Sequence, residues 1–297
     1  MISIVITAWD EPNATKECIK RFLDQNLPEF EMFVVCPDDE TKNVVLEYKK
    51  QYSQIHHVHQ PRELGKNVMM NKVMKEAKGD ILIFTDGDIF VSENSVSEIL
   101  KKFEDSKIGC VTGRPVSSNP KDNMAGYWSH LLTDAGAHNI RKEREQKGEF
   151  LECTGYLFAI RNGVIKEMPL DVAEDSIIPS MFWEKDYKIG YADKALAYVQ
   201  FPTNFKDWAN QKTRCAKSHE KVGLHIPVKR MKSFKNELIK GPIWALSYPK
   251  SAKEFAWTLA LFPARLYMWG KYFFETKIMD SHYGDKWKRV QSTRPMD

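Results

Sequence analysis

The chain has 297 residues, 42% of them apolar and 12% aromatic, with 44 Lys and Arg against 40 Asp and Glu for a formal net charge of +4. That length suits one large domain or two small ones, and the apolar fraction, without any low-complexity tract, excludes disordered and fibrous classes. Five cysteines, odd in number, widely spaced and without a C-x-x-C pair, argue against a disulfide scaffold or a zinc ribbon; with no secretory leader expected, they fit a reducing compartment.

The charge is unevenly spread. Residues 201–297 carry 19 Lys and Arg against 8 Asp and Glu, a surplus of 11, which leaves residues 1–200 with a deficit of 7. An acidic first two thirds thus precedes a basic tail rich in Trp, Tyr and Phe. Such a tail suits nucleic acid, acidic lipid or phosphorylated ligands, and composition does not choose among them.

In chain order, Ile2–Thr7 is a β-branched run that reads as a buried strand. A loop leads into a helix from about Asn13 to Gln25. Strand 30–35, helix 40–52, strand 55–59, helix 65–77 and strand 81–84 follow. Strands alternating with helices predict an α/β fold with a mostly parallel sheet wrapped on both faces, and ligands on such sheets sit at the carboxyl ends of strands.

Three carboxylate-bearing loops lie there: Asp10-Glu11 after the first strand, Asp38-Asp39 after the second, and Asp86-Gly-Asp88 after the fourth. Like charges gathered at one edge repel unless a cation or several donors sit among them. Asp86 and Asp88, two residues apart with a small residue between, suit one hard cation, Mn²⁺ or Mg²⁺, shared with a substrate phosphate. The competing reading is a solvated turn. Glu174-Asp175 stands before Ser176, where a helix begins, so it is either a dipole-favoured cap or a carboxylate pair that works in a cleft.

These residues carry a family resemblance. Ile4-Val-Ile-Thr-Ala-Trp-Asp-Glu11, Gly65-Lys66-x4-Asn71, Ala77-Lys-Gly-Asp80 running on to Asp86-Gly-Asp88, Gly155-Tyr-Leu-Phe-Ala-Ile-Arg161, Ala173-Glu174-Asp175, Ala195-x-Ala-Tyr-Val-Gln-Phe-Pro202 and Gln211-Lys-Thr-Arg214 resemble, in order, the motifs of the family 2 glycosyltransferases of GT-A fold. The resemblance covers about residues 1–220. It implies a GT-A (Rossmann-like) mixed, mostly parallel sheet flanked by helices, with residues 221–297 as a helical C-terminal extension.

It also implies roles. Asp88 with Asp86 would hold the metal; Ala8, Asp10, Glu11 and Asp38 would line the nucleoside pocket; Lys66, Asp86 and Arg214 would serve the donor diphosphate; Asp175 would be the general base, with Glu174 and Gln211 on the acceptor side. Arg214 has the fork geometry for a phosphate, and Lys66 is alternatively an exposed helix-start lysine. Cys215 stands where the family often has Trp, which weakens an inference to a processive synthase. Trp208 or Trp183 is either a replacement platform or core, and His219 either meets a phosphate or is a surface histidine.

The segment Phe255–Phe274 is mostly apolar, but Arg265 at its middle costs about 2.5–3.5 kcal/mol in a bilayer, so a membrane span is not expected. Val228–Lys240 sets five cations among apolar residues, a composition that suits an interfacial anchor at about 1 kcal/mol per cation near anionic lipid. Peripheral contact through 221–297, at the cytoplasmic face of a membrane, is therefore expected; ordinary core or dimer packing is the alternative. The absence of a Gly-rich phosphate loop or G-x-G-x-x-G after the first strand argues against nucleotidyltransferases and nicotinamide oxidoreductases, and no nucleic-acid module is present. The expected function is a metal-dependent inverting glycosyltransferase that moves a sugar from a nucleoside-diphosphate donor, a UDP-sugar by preference, to a lipid-linked or cell-envelope glycan acceptor. The alternative is a non-catalytic nucleotide-sugar or membrane-surface binding protein with a degenerate site.

Overall fold

The computed structural model describes residues 1–61, 64–226, 231, 234–284 and 291–293, with backbone alone for 235–240 and 291. Strand β1 (Ile2–Thr7) is buried throughout. Val5 packs on one side of the sheet and Ile2, Ile4 and Ile6 on the other. A strand covered by helices on both faces has apolar side chains at every alternation, which is why this one reads as a continuous β-branched run.

Helix α1 (Pro12–Leu23) starts on a proline, whose missing N–H costs nothing at a first turn. It is followed by β2 (Phe30–Cys36), α2 (Asp39–Gln51), β3 (Ile55–His59), α3 (Lys66–Glu76) and β4 (Ile81–Asp86). These six elements and β1 match the expected ones to within two residues at each end. Beyond them come β5 (Phe90–Val91), α4 (Ser95–Lys102), β6 (Ile108–Ser117), α5 (Met124–His130), a π-helical stretch (Leu131–His138), α6 (Asn139–Gln146), β7 (Leu157–Arg161), α7 (Glu174–Glu184) and β8 (Lys188–Val199). Helices α8 (Phe205–Ser218), α9 (Val222–His225), α10 (Phe234–Leu246) and α11 (Ala252–Phe273) close the chain, with a further π-helical turn at Phe274–Ile278.

The eight strands form one sheet in the order β3-β2-β1-β4-β7-β6-β8-β5. The β1–β2, β1–β4, β2–β3 and β6–β8 pairs are parallel; β4–β7, β6–β7 and β5–β8 are antiparallel. The expected mixed, mostly parallel sheet is therefore the one observed. In register, Thr7 lies beside Asp86, so the Asp-Gly-Asp turn leaves the sheet next to the loop that follows β1.

Each face of the sheet carries its own apolar cluster, and a third joins the last helices to the rest. There Tyr127, Trp128 and Leu131 meet Trp208 and Ala209 of α8 and Leu261, Ala264 and Met268 of α11. Trp208 packs against Trp128 with tilted rings whose centroids are 5.4 Å apart, and Trp183 packs edge-on to Phe150 at 5.7 Å. Both tryptophans are thus packing residues, although Trp208 also reaches the cavity wall. Much of the cationic run 228–240 lies outside the described residues. No described helix is long and apolar enough to cross a membrane.

Candidate active site

A cavity of about 1160 Å³ opens at the carboxyl ends of β1 and β4 and runs to the C-terminal helices. Its polar end is lined by Thr7, Glu11, Lys66, Asp86, Asp88 and Asp175. Asp86 is fixed from two sides, accepting from the Thr7 hydroxyl at 2.8 Å and from Lys66 Nζ at 2.7 Å, both at Oδ1. The same Nζ lies 2.7 Å from Glu174 Oε1. Burial works against the Lys66 charge, but Asp86 and Glu174 outweigh it and hold its pKa above the ordinary lysine value. The lysine expected at the phosphates therefore bridges two carboxylates, and in doing so ties the Asp-Gly-Asp turn to the start of α7.

The rest of the Gly65-Lys66-x4-Asn71 motif works to the same end. Asn67 Nδ2 donates to the carbonyls of Pro169 (2.9 Å) and Val172 (2.8 Å), and Asn71 exchanges hydrogen bonds with the backbone of Met168 at 2.9 Å each way. One face of α3 thereby clamps the segment that delivers Glu174 and Asp175 to the cavity.

Gly87 explains the small residue between the aspartates. A Cβ there would lie 2.6 Å from Ala8 Cβ and 2.9 Å from Thr15 Oγ1. The turn must therefore press against the loop after β1, which fixes the two carboxylates beside it. Ala8 extends the sheet by donating to the Val35 carbonyl at 2.9 Å. Asp10 has a positive φ of 54°, which aspartate tolerates better than most residues. Its N–H donates to Asp38 Oδ2 at 2.8 Å, while Asp38 Oδ1 caps α2 by accepting from the Thr41 N–H, also at 2.8 Å. Both oxygens of Asp38 thus hold backbone. Ala8, Asp10 and Asp38 support the wall, whereas Glu11 is on it.

The acidic field of this end shows on its neutral neighbours. Burial, then Asp88, Asp86 and Glu11, push the Cys18 thiol well above its ordinary range. Burial, then Cys215 and the Asp88, Asp86 and Asp175 carboxylates, do the same to the Tyr156 hydroxyl. Among the described residues no group of three or more His, Cys, Asp or Glu side chains is arranged to hold a metal ion. Two carboxylates on one turn, half-buried and facing a cavity, nevertheless suit a hard cation that takes its other oxygens from a ligand.

Helix α8 supplies the facing wall, with Gln211 and Arg214 on the cavity side. Cys215 is exposed. The Arg214 guanidinium also lies 6.0 Å from the centre of the Tyr283 ring. His219, expected at the surface or at a phosphate, is not at the surface: it is 3% exposed, bonded to Ser176, and lies on the cavity wall. The far end of the cavity is mostly apolar, built by Leu131 and Leu132 of the π-helical stretch, Trp244 of α10, and Phe262 and Trp269 of α11, with the Arg265 side chain among them. Sequence reasoning missed this wall; the only signal for it was Arg265 inside an apolar helix.

The family model described as "Glycosyl transferase family 2" matches residues 3–168. The chain belongs to this family. Over 250 residues it is 22% identical to the "Probable glycosyltransferase YdaM" of Bacillus subtilis (strain 168), covering 80% of this chain and 60% of that one. Over 259 residues it is 23% identical to the "Hyaluronan synthase" of Streptococcus pyogenes serotype M1, covering 78% and 60%. The chain thus spans about 60% of the length of these curated relatives. Among solved structures it resembles the mannosyltransferase PcManGT from Pyrobaculum calidifontis in complex with GDP-Man and Mn²⁺ (TM-score 0.62, 17% identity, 92% of this chain and 80% of that one). It also resembles S. aureus TarS 1–349 (TM-score 0.51, 14% identity, with the same coverage). These likenesses give the fold, GT-A, which the ordered motifs had implied.

Proposed function

We propose that the chain transfers a sugar from a nucleoside-diphosphate donor to an acceptor hydroxyl with inversion at the anomeric carbon. The observation that carries this reading is the Lys66 bridge, which holds the Asp-Gly-Asp turn and the Glu174-Asp175 pair on one cavity. The donor diphosphate would lie between Asp86, Asp88 and Arg214, with its nucleoside toward Glu11 and the loop that Ala8, Asp10 and Asp38 support. Asp88 and Asp86 would hold Mn²⁺ or Mg²⁺, which supplies charge neutralisation at the departing diphosphate. That the structural relative PcManGT was solved with GDP-Man and Mn²⁺, and TarS with UDP-GlcNAc, supports a nucleotide sugar and a divalent ion without choosing the base.

Asp175 would act as general base. The acceptor oxygen forms its bond to the anomeric carbon, its proton passes to the Asp175 carboxylate, and the sugar–phosphate C–O bond breaks with its electron pair leaving on the diphosphate. One base and no enzyme nucleophile give a single displacement, hence inversion. Glu174 has a different task, because its carboxylate is buried against Lys66. Gln211 would face the acceptor.

The apolar end of the cavity favours an acceptor joined to a lipid, and the outer surface agrees. On α11, Phe255, Leu259 and Phe273 are exposed away from the cavity, and Phe274, Ile278 and Met279 continue the stripe. A helix apolar on both its packed and its outer side calls for a second apolar medium. Residues 1–220 would then carry the chemistry and 221–297 its contact with a membrane face, with the surplus of cations beyond residue 200 drawn to anionic lipid.

The test is to incubate the purified chain and Mn²⁺ with a panel of UDP-, GDP- and TDP-sugars in lipid extract and to measure nucleoside diphosphate release. Release with one donor class, lost on chelation, is expected. Tight nucleotide binding with no release from any donor would favour a degenerate, non-catalytic site.

A further inference from the structure

At the cavity wall, which His219 helps to line, three buried polar side chains meet that none of the roles above employs. Ser176, Glu152 and His219 are 1%, 3% and 3% exposed. His219 follows the last turn of α8, and its Nδ1 is bonded to the Ser176 hydroxyl. The same Nδ1 lies 3.6 Å from Glu152 Oε2, and Glu152 Oε1 accepts from the Met231 N–H at 2.9 Å. Ser176 Oγ lies 3.4 Å from Oδ1 of Asp175.

Backbone bonds tighten the same junction. The Cys153 N–H donates to the Asp175 carbonyl at 3.1 Å, and the Ala173 N–H to the Ser218 carbonyl at 3.3 Å. Arg141, itself 2% exposed, donates to the carbonyls of Glu152 (3.1 Å) and Cys153 (3.2 Å). The base-bearing end of α7, the C-terminal end of the helix that carries Arg214, and the chain at Met231 are all joined here.

Burying an acid, an imidazole and a hydroxyl together is costly, and apolar side chains of similar volume would pack at least as stably. Stability alone therefore does not account for the group. What distinguishes it is its end point, one residue from the carboxylate that must sit within hydrogen-bond reach of the acceptor hydroxyl. The bonds are satisfied in sequence when the His219 Nδ1–H donates to the Ser176 oxygen and the Ser176 O–H donates to Asp175.

We propose that His219 is a positioning residue for the transfer step: through Ser176 it sets the orientation of the Asp175 carboxylate, with Glu152 anchoring the ring and the backbone at Met231. This rests on the reading of Asp175 as the base.

The experiment measures kcat, donor KM and the thermal midpoint for Ser176→Ala, His219→Leu, His219→Asn, the double variant Ser176→Ala/His219→Leu, and Asp175→Asn. Misorienting a reacting group costs up to about 100-fold, so Ser176→Ala and His219→Leu are each expected to lower kcat about 10- to 100-fold with donor KM unchanged. The double variant should be no slower than the worse single one, because both break the same chain. His219→Asn, whose amide can donate in place of Nδ1–H, should recover most of the loss. Ser176→Ala removes a single oxygen and decides the matter if His219→Leu does not fold. Wild-type kcat in Ser176→Ala, losses that multiply in the double variant, or a loss of kcat that only follows the thermal midpoint would each overturn the proposal. Turnover retained in Asp175→Asn would instead overturn the assignment of the base, so the two failures are distinguishable.

Discussion

At the sheet edge, Lys66 Nζ lies 2.7 Å from carboxylates on both Asp86 and Glu174, and Gly87 is pressed so closely against Ala8 that no other side chain fits. At the opposite end of the same cavity, α11 buries Leu261, Ala264 and Met268 on one side and leaves Phe255, Leu259 and Phe273 outside. The first region is held by charge-assisted bonds whose geometry is specific, the second by apolar area that is indifferent to orientation. Single-atom changes should therefore be felt sharply at the edge, whereas the outer helix should respond in proportion to the apolar surface removed.

The largest expected effect tests the edge. Replacing Asp88→Asn keeps the shape of the turn but halves its charge, and nucleotide release in excess Mn²⁺ should fall about 10²- to 10³-fold; a fall of less than about threefold would remove Asp88 from the diphosphate side. Lys66→Met comes next. It leaves two carboxylates facing each other without their cation, and breaking such a buried pair costs about 3 kcal/mol, the low end of the range because Asp86 keeps 33% of its side-chain surface. Urea unfolding reads that loss. Since the Lys66 pKa is raised in the folded chain, the contribution is complete below about pH 10, where an unfolded lysine is charged, and is lost only as the pH rises above that.

The outer helix supplies the contrast. Ile278→Ser with Met279→Ser removes two exposed apolar side chains that do not touch the cavity, and should lower flotation with anionic vesicles about tenfold while leaving nucleotide release in detergent unchanged. Equal loss of both would mean that this surface is part of the folded site rather than its approach to lipid. The smallest effect is at Asp38, whose carboxylate holds backbone at both oxygens; Asp38→Ala should cost about 1 kcal/mol of stability, the worth of a helix cap, and only slightly weaken nucleotide binding.

The two regions also differ in how far the sequence alone disclosed them. Strands β1 to β4 and helices α1 to α3 were legible because alternation between short β-branched runs and amphipathic stretches is a local signal. The Asp-Gly-Asp turn was legible because it follows such a run at once. The partner of Lys66 was not, since Glu174 is distant in the chain and nothing in a Gly-Lys step says which carboxylate will face it. Asp38 was ambiguous for a related reason: a carboxylate just before a helix is as well suited to capping as to binding a ligand, and here both its oxygens hold backbone. His219 reads as a polar surface residue until Ser176 and Glu152 are seen to enclose it. At the far end, apolar composition announced the helix, but not that one side of it would pack on Trp208 while the other stayed bare.

The measurement that bears most directly on the central claim compares Asp175→Asn with the wild type in two assays on the same preparation: nucleotide binding by calorimetry, and product formation with the donor identified from the panel. The account predicts binding within a few-fold of wild type and product formation reduced by at least about 100-fold, the usual contribution of a general base. Product formation at the wild-type rate, with anomeric configuration unchanged, would contradict it and move the base elsewhere on the cavity.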